Sequence, residues 1–192
     1  MNLEDALGAF PGQPNNPLWA GSGQPSANSI WPGAQSGGGP WPSPSPGPAA
    51  AQSLTVPYNQ SLPAGVYDKL LITIAGTIKA NADKFTVDLT AARDLVFHFN
   101  PRFNEGGNKV IVRNSCINER WGQEERALPR FPFVQGQPFE LKILCTSTDF
   151  KVAVNNSHLL SFTHRYANLR AIDALNIYND VTLSRVHMET LP

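Results

Sequence analysis

The sequence predicts an all-β domain over residues 53–192, preceded by a disordered tail over residues 1–52. Apolar and polar residues alternate with period two in segments such as 84–89 and 94–100, as they do in half-buried strands. No segment carries the sustained 3.6-residue apolar stripe of an amphipathic helix. Pro and Gly concentrate before residue 52. Many short strands at close spacing are typical of a β-sandwich or a barrel.

The tail is defined by its composition. Residues 1–52 hold 10 of the 17 Pro and 9 of the 15 Gly, with Glu4 and Asp5 as their only charged residues. Such a segment buries too little apolar surface to offset the entropy of ordering it, so we expect disorder. It also contains Trp19, Trp31 and Trp41, which we interpret as weak contacts for self-association. A degenerate linker with incidental aromatic residues is the alternative interpretation.

The strands of the domain follow from runs rich in Val, Ile, Phe and Thr that turn residues separate. The candidate strands are residues 70–75, 84–89, 94–100, 108–114, 139–146, 149–155, 159–165, 171–178 and 181–188. The turns between them include Glu-Gly-Gly-Asn at 105–108 and Gln-Gly-Gln-Pro at 135–138. About 140 residues of β-structure are enough for a real hydrophobic core.

Composition also excludes several classes of function. Lys+Arg and Asp+Glu both number 15, whereas a nucleic-acid-binding protein shows a basic excess. No apolar run approaches the roughly 18 residues of a membrane span. The first ten residues lack Lys, Arg and a continuous apolar run, so we expect no signal peptide. Cys116 and Cys145 are too few for a disulfide scaffold and suit a reducing compartment. The four His have no ligand spacing, so we expect no metal site.

One candidate strand carries unusual polar residues. On the face opposite Phe97 and Phe99, period two places His98, Asn100 and, if the strand continues past Pro101, Arg102. Two further segments can extend this surface. They supply Asn114 at the end of strand 110–114, and Trp121, Glu124 and Arg126 in segment 121–126.

This set of side chains suits a carbohydrate. Arg offers a rigid fork of donors, Glu accepts, and Asn and His both donate and accept, which matches hydroxyl groups. A Trp ring covers the apolar C–H face of a sugar. A site that pairs one particular hydroxyl rejects the epimer that lacks it, because its buried polar groups then go unpaired.

The motifs H-F-N-P-R-F at 98–103 and W-G-Q-E-E-R at 121–126 resemble the carbohydrate-recognition domain of the galectins. V-P-Y at 56–58, F-P-F at 131–133 and F-K-V-A-V-N at 150–155 agree with that resemblance, which covers about residues 54–192. A Pro/Gly/aromatic tail before a single such domain is similar to the chimera-type galectins. This tail departs from that type because it lacks tandem P-G-A-Y repeats and contains no Tyr.

The resemblance implies a jelly-roll sandwich of two antiparallel sheets that binds β-galactosides, such as lactose and N-acetyllactosamine, without a metal or other cofactor. It implies that His98, Asn100 and Arg102 engage the axial 4-hydroxyl of galactose and that Asn114 and Glu124 hold its 6-hydroxyl. Trp121 stacks under the galactose ring. Glu124, Arg126 and Arg102 reach the 3-hydroxyl of the neighbouring sugar. Glu125, on the other face of an extended segment, is expected to pair with an Arg.

Three functions compete on this sequence. The leading hypothesis is a non-enzymatic lectin that cross-links glycoproteins and glycolipids through tail-mediated self-association. A glycosidase needs two carboxyl groups about 5–9.5 Å apart, and Glu124 has no evident partner. The third is a nuclear or cytoplasmic scaffold acting through sugar-independent protein contacts. The resemblance implies both cytoplasmic and nuclear residence and export by a non-classical route.

Overall fold

Residues 54–192 form two antiparallel β-sheets in the computed structural model, and these are the residues that the structure describes. The strands are β1 (Tyr58–Ser61), β2 (Leu70–Ile78), β3 (Phe85–Ala91), β4 (Asp94–Glu105), β5 (Asn108–Ile117), β6 (Arg120–Trp121), β7 (Pro138–Cys145), β8 (Asp149–Val154), β9 (Ser157–Thr163), β10 (Ala174–Asn179) and β11 (Val181–Thr190). A single 3-10 turn, Leu169–Ala171, precedes β10. The predicted tail, with its three Trp, lies outside the described residues.

The chain passes repeatedly between the two sheets. One sheet has six strands in the order β1-β10-β3-β4-β5-β6, and the other has five in the order β11-β2-β7-β8-β9. All pairings are antiparallel. This arrangement confirms the predicted sandwich of two antiparallel sheets. Within the described part of the chain, no helix is long and apolar enough to cross a membrane.

The core lies between the sheets and is rich in phenylalanine. Phe97 of β4 stacks on Phe150 of β8 at a centroid distance of 5.0 Å and lies 5.0 Å from Phe162 of β9. Both Phe97 and its strand neighbour Phe99 are fully buried. Because successive side chains of a strand point to opposite faces, His98 and Asn100 lie on the face of the six-stranded sheet that is turned away from this core.

The sequence pattern misses two short strands. β1 has one apolar residue, Tyr58, and β6 has only two residues. Both are defined by backbone pairing, β1 along β10 and β6 against the end of β5, where Trp121 lies opposite Cys116. Side-chain alternation cannot reveal strands that are so short or so polar.

All nine predicted strands are present, but their ends differ from the observed ones by one to five residues, as two of them illustrate. The run predicted over 171–178 begins only at Ala174, because the 3-10 turn occupies residues 169–171. The run predicted over 159–165 is Ser157–Thr163. In both cases the apolar residues were recognised and the ends were misplaced by two or three positions, as is usual where turn geometry sets the boundary.

Candidate functional site

Strand β4 carries a row of three polar side chains, as predicted. β4 runs through Pro101 to Glu105, so Arg102 stays in the strand with His98 and Asn100. Arg102 Nε donates a hydrogen bond of 2.7 Å to Asn100 Oδ1. Asn100 in turn donates through Nδ2 to the carbonyl oxygen of Phe85 at 2.9 Å, which fixes its amide with the oxygen toward Arg102.

Strand β5 and the chain after it complete the surface. Asn114 lies directly opposite His98 in the β4–β5 register. The Trp121 ring meets the His98 ring edge-on, with centroids 5.3 Å apart. In segment 121–126 only Trp121 belongs to a strand, so the third strand expected there is mostly irregular chain. A hydrogen bond from the Gly122 N–H to the Ser115 carbonyl oxygen and a bridge between Glu125 and Arg113 join the rest of the segment to β5.

The structure brings all seven predicted residues onto one surface, which we call the polar face. It consists of His98, Asn100, Arg102, Asn114, Trp121, Glu124 and Arg126. Glu125 points away from it and pairs with Arg165 at 3.0 Å, as expected for a residue of the opposite parity.

A residue that the sequence pattern did not single out ties the polar face together. Glu105 accepts hydrogen bonds from Arg102 Nη1 at 2.6 Å and from Arg126 Nη1 at 2.5 Å. Arg126 also donates through Nε to Glu124 Oε2 at 2.5 Å. Two arginines and two glutamates therefore form one chain of charge-assisted hydrogen bonds whose formal charges cancel.

Periodicity alone could not have found Glu105. Period two assigns residue 104 to the face of Arg102, yet the register shifts between Arg102 and Glu105. This irregularity turns Glu105 onto the polar face. The Gly106-Gly107 turn signal that follows is the one hint in the sequence that β4 ends irregularly there.

The ion pairs change the ionisation of their members. Burial acts to raise the pKa of Glu105, but hydrogen bonds from Arg126 and Arg102 outweigh it and hold that pKa below its ordinary value. Burial acts to lower the pKa of Arg126, and the bonds to Glu105 and Glu124 outweigh it and raise that pKa. A glycosidase needs an acid whose pKa is raised, so Glu105 has the wrong environment for that role.

His98 rests on a second buried group that the sequence pattern did not single out. Its Nδ1 lies 2.7 Å from Oδ1 of Asp88, which faces it across the β3–β4 pair. The Tyr178 hydroxyl donates to the other oxygen of Asp88 at 2.7 Å. Burial, and then the charge of Asp88, raise the pKa of Tyr178, so its hydroxyl keeps its proton. His98 is thereby oriented with Nε2 left for a ligand.

One buried acceptor on the polar face has no partner. Glu124 Oε1 makes no hydrogen bond to any of the described residues, although its atom is buried. Buried polar atoms are rarely left unpaired, because that costs about 1–3 kcal/mol. A charge network that is formally neutral, beside an indole ring, suits a neutral ligand that offers hydroxyl groups.

Residues 54–192 give little support for a metal site, a reactive cysteine or a second binding cavity for the predicted residues. Among residues 54–192, no group of His, Cys, Asp and Glu has the arrangement of a metal site. Cys116 and Cys145 are free thiols, and burial raises the pKa of Cys145 to about 12. A cavity of about 260 Å³ beside the loop after β9 contains none of the seven predicted residues.

Comparison with known proteins agrees with this description. The family described as Galactoside-binding lectin matches residues 57–188. Galectin-3 of Oryctolagus cuniculus is 46% identical over 179 residues, which are 93% of this chain and 70% of that protein. Galectin-3 of Mus musculus is 49% identical over 134 residues, 70% of this chain and 50% of that protein.

Solved structures of similar fold point the same way. Sheep galectin-11, in complex with glycerol, is 26% identical with a TM-score of 0.64, and the match covers 71% of this chain and all of that one. Caenorhabditis elegans galectin LEC-6, at 23% identity and a TM-score of 0.65, shows the shared fold over 71% of this chain and 93% of its own.

Proposed function

Because the chain belongs to the galactoside-binding lectin family, the galectins, we propose that it binds the galactose unit of lactose and N-acetyllactosamine on its polar face. The family consists of carbohydrate-binding lectins, not enzymes. The observation that carries the proposal is the neutral network of Arg102, Glu105, Arg126 and Glu124, on one face with Trp121 and His98.

The row on β4 is proposed to read the axial 4-hydroxyl of galactose. Asn100 Oδ1 is an acceptor held by Arg102, and Arg102 keeps further N–H donors. His98 presents Nε2, because Nδ1 is engaged by Asp88. An equatorial 4-hydroxyl points elsewhere and leaves these groups unpaired, which is the physical basis for rejecting glucose.

The other end of the polar face is proposed to hold the rest of the disaccharide. Glu124 Oε1 accepts from the 6-hydroxyl of galactose, and Asn114 donates to the same group. Trp121 covers the C–H face of the ring. Glu124, Arg126 and Arg102 reach the 3-hydroxyl of the next sugar. The support for these assignments is the unpaired Glu124 oxygen and the proximity of the Trp121 and His98 rings.

Calorimetric titration with lactose and with cellobiose tests the proposal, since the two differ only at carbon 4 of the non-reducing sugar. We expect lactose to bind with a Kd of order 0.1–1 mM, about −4 to −5.5 kcal/mol, and cellobiose not to bind measurably. Arg130→Ala, on an arginine that bonds the backbone of residues 157 and 158, is the control and should bind lactose normally. Equal binding of both sugars would contradict the proposed role of the β4 row.

We also propose that the tail cross-links bound lectins. The support is sequence alone, namely Trp19, Trp31 and Trp41 in a Pro/Gly-rich segment that lies outside the described residues. Linking weak sites raises avidity by about 10²–10⁴. Light scattering with a multivalent glycoprotein should rise with the full chain and stay low when all three Trp are replaced by Ser. Equal scattering from the full chain and from the Trp→Ser variant would contradict cross-linking through the tail.

We also propose residence in cytoplasm and nucleus with non-classical export, as the resemblance to galectins implies. The free thiols of Cys116 and Cys145 suit the reducing compartments among these. Cell fractionation and assay of the culture medium test it. A sugar-blind Arg126→Ala variant separates an intracellular scaffold from a lectin. Scaffold functions should survive that change, and functions that depend on glycans should be lost.

A further inference from the structure

The amide of Asn114 is held in one orientation by groups behind the polar face. Its Oδ1 accepts hydrogen bonds from the Ser115 backbone N–H and from Arg165 Nη1, both at 2.8 Å. Its Nδ2 donates to the carbonyl oxygen of Gly122 at 2.9 Å. With the oxygen engaged twice and one N–H used, one N–H remains for a ligand.

Arg165 joins this amide to the segment that carries Glu124. Its Nη2 donates to the carbonyl oxygen of Gln123 at 2.7 Å and to Glu125 Oε1 at 3.0 Å. Its guanidinium carbon lies 4.6 Å from the centre of the Phe162 ring, which supports it from the core side. One planar side chain on the loop after β9 therefore connects β5 with the backbone of Gln123 and the side chain of Glu125, the two neighbours of Glu124.

Because Gly122 has no side chain, the Arg165 guanidinium can lie close to its backbone. A Cβ at position 122 would lie 2.7 Å from Arg165 Nη1 and 3.2 Å from Asn114 Oδ1. Gly122 does not have a positive φ, so its lack of a side chain is explained by this close approach and not by backbone conformation. This close packing against Gly122 indicates, independently of the hydrogen bonds, that the Arg165 guanidinium has a defined position.

We propose that Arg165 is a positioning residue for recognition of the galactose 6-hydroxyl. It keeps the Asn114 oxygen away from the ligand, so that the amide presents an N–H donor to that hydroxyl. Without the guanidinium, the amide loses its charged donor and can turn its oxygen toward the ligand. This inference rests on the proposed binding of β-galactosides.

The test compares lactose with 6′-deoxylactose, which lacks only the hydroxyl in question, by calorimetry on the full chain. The wild type should prefer lactose. Arg165→Met should weaken lactose binding roughly tenfold and change 6′-deoxylactose binding by less than about twofold, because the deoxy sugar never uses Asn114. Arg165→Lys, which keeps a charge but loses the planar fork, should give an intermediate preference.

Two further variants complete the experiment. Gly122→Ala displaces the guanidinium without removing it and should reproduce the selective loss even if Arg165→Met folds poorly. Arg130→Met, which also removes an arginine bonded to backbone carbonyls, should leave the preference for lactose intact. Equal losses for both sugars in Arg165→Met and Gly122→Ala, or no loss for either, would overturn the role of Arg165. A wild type that binds neither sugar would overturn the proposed function itself.

Discussion

At the scale of single residues, Glu105 is the carboxylate on which both arginines of the polar face depend. Arg102 and Arg126 each donate to it, and all three side chains are largely buried. Removing one member of a buried charge network leaves the other charges uncompensated, which costs more than the net contribution of the intact network. The positions of the Arg102 and Arg126 side chains therefore depend on their contacts with Glu105.

Replacing Glu105 by Gln should lower lactose affinity by roughly 10- to 100-fold, since two arginines lose their shared acceptor charge and can swing away from the ligand. Calorimetry measures the change, with the exposed Glu189→Gln on β11 as the matched control. Affinity unchanged in Glu105→Gln would show that Arg102 and Arg126 are held by other contacts.

The affinity of the wild type should also depend on pH through Glu105. Its pKa lies below the ordinary value of 4.5, so the ion pairs persist at pH 4.5 and are lost as the pH falls through the lowered pKa. Lactose titrations between pH 6 and pH 3 should therefore show binding that is retained to about pH 4.5 and then declines. A decline centred above pH 5 would assign the pH dependence to a different group.

Trp121 offers a direct signal, because the other three Trp lie in the tail. With Trp19, Trp31 and Trp41 replaced by Phe, fluorescence reports on Trp121 alone. Lactose should shift its emission to shorter wavelength, because stacking against the sugar removes water from the half-buried indole. Cellobiose should cause no shift, and an equal shift with both sugars would show that the indole does not lie at the selective position.

The sequence pattern located most residues of the polar face but not the residues behind them. His98, Asn100 and Arg102 share one strand, so period two placed them together. Asp88 and Arg165 act through other strands and loops, and their contacts depend on a register and a loop path that no local pattern encodes. Residues behind a binding surface become visible only when tertiary structure brings distant segments together.

At the scale of elements, the pairing of β2 with β11 contains an irregularity that explains a glycine. The register shifts between Leu183 and Arg185, and the backbone of β11 approaches Gly76 of β2 closely. A Cβ at position 76 would lie 2.1 Å from the carbonyl oxygen of Thr182. Backbone on both sides would have to move to admit any side chain there.

Gly76→Ala should therefore lower the free energy of unfolding by about 2–4 kcal/mol, measured by urea denaturation. Gly106→Ala is the matched control, because its Cβ would meet nothing within 4 Å and only its positive φ of 58° is strained. It should cost about 1–2 kcal/mol. Equal costs would show that the strands adjust freely around position 76. Since Gly76 lies in the five-stranded sheet, the folded variant should keep its lactose affinity.

Strands whose side chains alternate were predicted from the sequence. Strands that are defined mainly by backbone pairing were missed. β3 and β4 alternate strictly over the predicted segments 84–89 and 94–100 and lie there, although β3 ends two residues and β4 five residues beyond the predicted end. β6 was missed because two residues carry no periodicity, and its pairing with β5 depends on the turn that joins them. The two-sheet sandwich followed from the number of alternating runs, whereas the order of strands within each sheet did not.

At the scale of the whole molecule, the stability of the sandwich should depend on alkaline pH through a thiol of the core. Cys145 at the end of β7 is fully buried, and burial raises its pKa from 9.0 to about 12. Between these values the unfolded chain releases the thiol proton and the folded chain retains it. The free energy of unfolding contributed by this group is therefore complete below pH 9 and falls as the pH rises toward 12.

Urea denaturation at pH 8.5 and pH 10.5 measures this dependence for the wild type and for Cys145→Val. The wild type should lose up to about 1.4 kcal/mol per pH unit more than the variant, which has no thiol at that position. Comparing the two slopes cancels the contributions of Cys116 and the tyrosines, which are present in both. Parallel slopes would mean that the Cys145 thiol ionises as readily in the folded chain as in the unfolded one.

The alternation along β4 places core residues and residues of the polar face on opposite sides of one strand. Phe97 and Phe99 pack between the sheets, while His98 and Asn100 lie on the opposite face, buried against their hydrogen-bond partners. A combinatorial library that varies every second codon from 98 to 102 thus leaves the phenylalanines unchanged, but each replacement of His98 removes a partner of the buried Asp88. Beyond Arg102, the register shift before Glu105 interrupts the alternation of faces and places residue 105 on the polar face. Codon 105 should therefore be varied together with codons 98, 100 and 102. Strand β4 therefore separates the residues that hold the sheets together from those of the polar face, but a change on the polar face also affects the buried groups behind it.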